Sequence, residues 1–200
     1  MKKITLSDLV NIVEYEKARD GIREDVMAHK ARRRIELGPE VSLTFEDRKT
    51  MIFQIQEMMR AERMILDSVI QEEIDIYNTL LPDQGELSAT LFIEITEESL
   101  IREKLHKFLG LTDGDKLWLS AGDEDSFAVF EEGRSEEDKI ASVHYVRFPV
   151  SASLLTKFSN PGIEAVFHIA QGNYIYSQIV SAELRQSLLR DLEGAKNHTT

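Results

Sequence analysis

The sequence predicts an α+β fold, with N-terminal helices and one short hairpin followed by a mostly antiparallel sheet carrying short helices. Two observations predict it. Up to about residue 81, apolar side chains recur at helical spacing around one alternating segment that brackets Gly38 and Pro39. From Leu87 onward, short alternating runs are separated by turns rich in Gly, Asn and Asp. The change in texture falls at Pro82–Glu86. It divides the chain into a mainly helical half, 1–83, and an α+β half, 84–195, as separate halves or one continuous domain.

The first helix is expected to start at Ser7, which follows Leu6 and precedes an amphipathic stretch. Leu9, Ile12, Val13, Tyr15, Ile22, Val26 and Met27 supply its apolar side. Gly21 costs about 1 kcal/mol relative to Ala in a helix interior and marks the expected break or kink. The helix should end near His29–Arg33. Ile35 and Leu37 alternate before Gly38-Pro39, and Val41, Leu43 and Phe45 after it, which predicts a hairpin. Asp47 then caps a long helix through Ile65, continuing after a break to Leu81, where Pro82 and Gly85 end it.

In the second half, Leu87–Ile95 reads as a strand and Thr96–Gly110 contains a short helix. Leu117–Leu119, Ser126–Phe130 and Ala141–Val150 read as strands, with an acidic loop at Glu131–Asp138. Ser151 caps a short helix that stops at Asn160-Pro161-Gly162. Ile163–Ala170 and Tyr174–Val180 form a hairpin, and a last helix, Ala182–Leu192, precedes a polar tail. Trp118 is expected in the core. Tyr174 and Tyr176 read as cross-strand packing, and His144 and His168 as satisfied strand histidines.

With 200 residues, 42% of them hydrophobic and 30% charged, the chain has the composition of an ordinary globular protein. It has no cysteine, which removes disulfides, thiolate metal sites and a cysteine nucleophile. A self-held iron–sulfur cluster is not expected either. Asp8, Asn11 and Glu14 interrupt any secretory apolar region, and no window approaches the length of a membrane helix. The expected location is cytoplasmic.

The net charge of −12 argues against general nucleic-acid binding. It is unevenly spread: residues 1–63 hold 13 Lys/Arg and 12 Asp/Glu, a net of +1, which leaves −13 for the remainder. Lys30, Arg32, Arg33 and Arg34 mark the positive peak. They complement a helix C-terminus or form an anion site. Phosphate-binding, dinucleotide, zincin and nucleophile-elbow motifs are absent from the sequence.

The segment from Phe45 to Met64 mixes polar and apolar residues most densely. On a helix, Met51, Ile55, Met58, Glu62 and Ile65 fall on one stripe, so Glu62 is a carboxylate on an apolar face. Such a group needs a partner. Either Arg23 or Arg33 supplies it as a tie between helices, or Glu57, Glu62 and His29 form a carboxylate–imidazole cluster for a divalent metal. In that second reading the three are also candidate catalytic groups, as general base and acid. Arg60 and Arg63, with Gln56 and Arg33, are candidates for clamping a carboxylate or phosphate.

His29, Lys30, Arg32, Arg33, Leu37-Gly38-Pro39, Phe45-Glu46-Asp47-Arg48, Thr50, Gln54, Gln56-Glu57-Met58, Arg60 and Glu62-Arg63 together resemble a bacterial family catalogued only as a domain of unknown function. Tyr77-Asn78, Leu81-Pro82, Ser88-Ala89-Thr90, His144 and Arg147-Phe148 extend the resemblance, which spans Leu6 to Leu192. The resemblance supplies no catalytic residues. It implies a genomic neighbourhood of rubrerythrin-like proteins and an iron–sulfur, glycolate-oxidase-like subunit. The resulting expectation is an accessory or interaction protein of a redox or oxidative-stress system, with a rubrerythrin-like or iron–sulfur partner and the acidic second half as a docking surface. The alternative is a metal-dependent or anion-binding enzyme centred on Glu57–Arg63.

Overall fold

The computed structural model describes residues 1–131, 135–136 and 139–194. A 3-10 turn, Leu6–Asp8, comes first. The helix α1 spans Ile12–Ala31, capped by Asn11, whose side chain accepts from Glu14 N at 3.0 Å. Ser7 is therefore not the helix cap. Between the turn and the helix, Val10 is held by Gln56, which accepts from its N–H at 2.7 Å and donates to its carbonyl at 3.1 Å. Gly21 neither breaks nor ends α1. Its position is exposed, and a single glycine costs less than the packing of a 20-residue helix supplies.

The expected hairpin forms from β1 (Arg34–Glu36) and β2 (Val41–Phe45), with Ile35 opposite Leu43. Gly38 turns the chain at φ 81°, and a Cβ there would lie 2.6 Å from the Tyr176 ring. Asp47 then caps α2 (Arg48–Glu62) by accepting from Thr50 N at 2.9 Å, and Arg63 ends it in the left-handed region at φ 53°. The break expected near Ile65 separates α2 from α3 (Asp67–Thr79).

The second half runs β3 (Glu86–Ile93), α4 (Ile101–His106), β4 (Leu117–Ala121), β5 (Glu124–Phe127) and β6 (Val129–Phe130). It continues through β7 (Ser135–Glu136), β8 (Lys139–Ile140), β9 (Val143–Pro149), α5 (Ala152–Ser159), β10 (Ala165–Gln171), β11 (Tyr174–Ile179) and α6 (Ala182–Gly194). Part of the expected acidic loop, 132–134 and 137–138, and the tail 195–200 lie outside the described residues.

Among the described residues, all strand pairs are antiparallel. The first sheet has the order β1-β2-β3-β9-β6 and the second β11-β10-β4-β5, while β7 and β8 pair with each other. Strands from either side of Pro82 thus share the first sheet. The core lies between the sheets, where Phe45 meets Phe148 and Phe167 at ring distances of 6.3 and 5.2 Å. Leu154 and Phe158 of α5 and Leu184, Leu188 and Leu192 of α6 complete it.

A second apolar cluster joins Met51, Ile55 and Met59 of α2 to Ile70, Ile74 and Tyr77 of α3, with Ile4 and Leu81. Tyr145, on the other face of β9, packs against it. The first sheet is therefore covered on both faces. Trp118 is not in either core. It stacks on His168 on the outer face of the second sheet at 4.8 Å, because β4 alternates and Leu117 and Leu119 take the inner positions. Among the described residues, no helix is long and apolar enough to cross a membrane.

Candidate functional site

The polar residues that the sequence singles out separate into distinct places. Arg33, at the end of α1, is 2% exposed. Its guanidinium donates to the Phe45 carbonyl at 2.9 Å, to Ser187 Oγ at 2.7 Å and to Asp191 Oδ2 at 2.5 Å. Asp47 lies 3.5 Å from the same guanidinium and 2.6 Å from His29 Nε2. One buried cation therefore serves two carboxylates.

Burial opposes ionisation of both, but their surroundings differ. Arg33, the Thr50 backbone N–H and His29 outweigh burial at Asp47 and hold its carboxyl below the usual range. At Asp191 burial wins over Arg33 and pushes the value up to about 6. The network ties α1, the start of α2 and α6 together. His29 is thus a partner of Asp47 rather than of Glu57 or Glu62.

Glu57 faces α1. It accepts from Tyr15 Oη at 2.6 Å and from Arg19 through two bonds of 2.8 Å. Arg19 is the main reason its carboxyl is held at about 2, with partial burial opposing and Tyr15 assisting. Burial and Glu57 together raise the Tyr15 phenol well above its usual value. Gln56 is occupied with Val10.

Glu62 is exposed in the last turn of α2. It lies about 22 Å along the axis from Asp47 and its partner His29, at ~1.5 Å per residue. The stripe that placed Glu62 beside Ile55 and Met58 ends where the helix leaves the core. Glu57, Glu62 and His29 are not brought together, and neither Arg23 nor Arg33 pairs with Glu62. Among the described residues, no group of three or more His, Cys, Asp or Glu is placed to hold a metal ion.

The expected anion clamp is also dispersed. Arg33 is buried, while Arg60 lies 3.8 Å from Glu57 and 3.9 Å from Glu16. Arg63 is exposed at the left-handed cap, with no acidic partner among the described residues.

One arrangement escaped the sequence reading, and the expected satisfied strand histidine His168 shows its partners. Glu46 is 3% exposed on the helix-covered face of the first sheet. Its Oε1 accepts from Thr90 Oγ at 2.6 Å, while Oε2 has no hydrogen-bond partner among the described residues. Its place on the alternating Ser42, Thr44, Glu46 face was visible, but that pattern normally indicates solvent. On the open face of the second sheet, His168 lies 2.8 Å from Ser120 Oγ and 2.7 Å from Ser177 Oγ. Burial lowers its pKa, with Asp125 pulling the other way.

An apolar groove of about 440 Å³ lies where the N-terminal segment meets the α2–α3 corner. Leu6, Val10, Ile12, Met59, Met64 and Ile65 line it. Ile65 is 77% exposed and Leu66 62%, two and three residues after Arg63.

The family described as "Protein of unknown function (DUF3501)" matches residues 3–192. The chain belongs to this family. It is also similar to a solved structure, a novel protein of unknown function from Burkholderia pseudomallei K96243, with 31% identity and a TM-score of 0.87. That match covers 96% of this chain and 100% of the other. No curated protein matches it. The resemblance drawn from His29 through Arg147 is thereby established at the level of family and fold.

Proposed function

We propose that this DUF3501 protein is an accessory, interaction protein of a redox or oxidative-stress system. Its groove takes an amphipathic helix of the partner, with apolar side chains on Val10, Met64 and Ile65 and an acidic residue on Arg63. The observation that carries this reading is the apolar groove beside Arg63. An exposed apolar surface beside a polar rim is a common mark of a protein interface, and helix-in-groove docking uses spaced apolar anchors.

Two further points support it. Arg63 holds a left-handed conformation that costs a non-glycine residue on the order of 1 kcal/mol, and its guanidinium is uncommitted among the described residues. The genomic neighbourhood implied by the family resemblance supplies the class of partner, a rubrerythrin-like protein or an iron–sulfur subunit. Of the anion-binding candidates, Arg63 alone is carried into this reading.

The test is purification from the native cell at low salt, with the wild type and an Ile65→Lys variant compared. The wild type should retain a rubrerythrin-like or iron–sulfur oxidoreductase protein, and the variant should lose at least nine-tenths of it. Retention of neither class by the wild type overturns the proposal. So does undiminished retention by a folded Ile65→Lys variant.

A further inference from the structure

Among the described residues, the strand β11 is the edge of the second sheet and pairs only with β10. Its backbone direction follows from two observations. Val166 is opposite Ile179, and Val180 N donates to the Ala165 carbonyl at 2.9 Å. In an antiparallel ladder, the residues whose N–H and C=O bond the neighbour alternate with those that face away. Tyr174, Tyr176 and Gln178 therefore face β10, and Ile175, Ser177 and Ile179 direct their backbone groups outward.

This edge lacks the usual protection. Proteins blunt open edges with Lys, Pro, bulges or covering loops. In a chain with 30% charged residues, Tyr174–Ile179 contains neither a charge nor a proline. Ile175 is 68% exposed and Ile179 56%. Tyr174 donates to the Leu37 carbonyl at 2.6 Å and accepts from Glu40 N at 3.0 Å, so the strand is anchored to the first sheet from its inner face.

The outward-facing residues read Ile-x-Ser-x-Ile, the same in both directions. A two-fold axis through Ser177 places Ser177 opposite itself and Ile175 opposite Ile179 of the other copy. Each of these pairs then exchanges its outward N–H···O bonds, and β-branched side chains meet across the strands at both ends. Charge restricts where two copies can meet: each carries −12, and Tyr174–Ile179 is an uncharged stretch at which their repulsion is least.

We propose that two copies of this chain associate through antiparallel β11–β11 pairing about a two-fold axis at Ser177. The two four-stranded sheets become one continuous sheet. The interface is isologous and lies on the second sheet, apart from the groove that takes the partner helix.

The test begins with sedimentation equilibrium across a micromolar dilution series. The wild type should show twice the chain mass. The double variant Ile175→Lys, Ile179→Lys puts lysine opposite lysine and should be monomeric. Its equimolar mixture with Ile175→Glu, Ile179→Glu should recover the dimer, because each lysine then faces a glutamate. Circular dichroism confirms that both variants are folded.

Because the chain has no cysteine, Ser177→Cys gives an independent readout. That variant should form a cross-linked dimer under mild oxidant, while Ser153→Cys should not. A monomeric wild type overturns the proposal and leaves the edge to an extended segment of another protein. A dimer that survives both lysines overturns it in favour of another interface.

Discussion

The two faces of the first sheet are both buried, but by different chemistry. The inner face is almost wholly apolar, with Val41, Leu43, Phe45, Leu87, Ala89, Leu91, Val146 and Phe148; the exception is His144 on β9, buried beside Leu91 with its Nε2 2.8 Å from the Ala141 carbonyl. The outer face presents Ser42, Thr44, Glu46, Ser88 and Thr90, all buried on the side where Tyr145 joins the helical cluster. Ser88 Oγ donates to the Leu80 carbonyl at 2.7 Å, and Thr90 Oγ to Glu46 at 2.6 Å. Apolar contacts are non-directional, so the inner face depends on volume. Buried hydroxyls and carboxylates need particular acceptors and donors, so the outer face depends on position.

The largest effects should come from removing volume inside or charge outside. Phe45→Ala should lower unfolding stability in urea by about 3–5 kcal/mol, since a phenyl group between two others cannot be replaced by collapse. Arg33→Met should cost about 3–5 kcal/mol, because it leaves Asp47 and Asp191 buried without their cation. A loss below 1 kcal/mol would mean that α6 is held by its leucines alone.

The same network predicts a pH effect. The folded value of Asp191, about 6, is above its ordinary 3.8. Its contribution to stability is therefore complete below the ordinary value and is lost as pH rises through about 6. Asp191→Asn removes the titrating group. The wild-type minus variant difference should fall across that window in urea denaturation, and a flat difference would show that Asp191 ionises at its ordinary value.

A smaller effect separates the two faces more sharply. Thr90→Val keeps the volume but leaves the Glu46 carboxylate without its donor, at a cost of about 2 kcal/mol. Combining it with Glu46→Leu removes both polar groups and should recover most of that loss. A double variant no better than Thr90→Val would mean that Glu46 is held by more than Thr90. The smallest effect lies outside both faces: Gly21→Ala in α1 should raise stability by about 0.5–1 kcal/mol, since a Cβ there meets nothing within 4 Å. A loss would point to a kink in solution.

Much of the fold was legible. The hairpin across Gly38-Pro39, the Asp47 cap, the Ser151 cap and the β10–β11 hairpin all lie where turn and cap residues place them, because those signals act within a few residues. Ser7 misled because Thr5 and Asp8 close a separate turn and Asn11 starts the helix. Trp118 misled because size suggests burial while alternation decides the face.

Less of the candidate site could be read. Glu57, Gln56 and Arg33 stood out as polar residues in demanding positions, but Tyr15, Arg19, Val10 and Asp191 reach them across 38 to 158 residues of sequence. Spacing along one helix carries no information about such partners. The groove combines Leu6 and Val10 with Ile65, and none of these is unusual by itself.

By itself the sequence determined the α+β class, the order of the elements, the charge asymmetry and the absence of thiol chemistry, since each depends on composition or on local backbone preference. Only the tertiary structure decided which polar residues became ties, which carboxylate lies buried with an unpartnered oxygen, and which strand was left at an edge. Those outcomes depend on which distant surfaces pack together, and burial turns an ordinary Arg, Glu or Ser into a group whose partner matters.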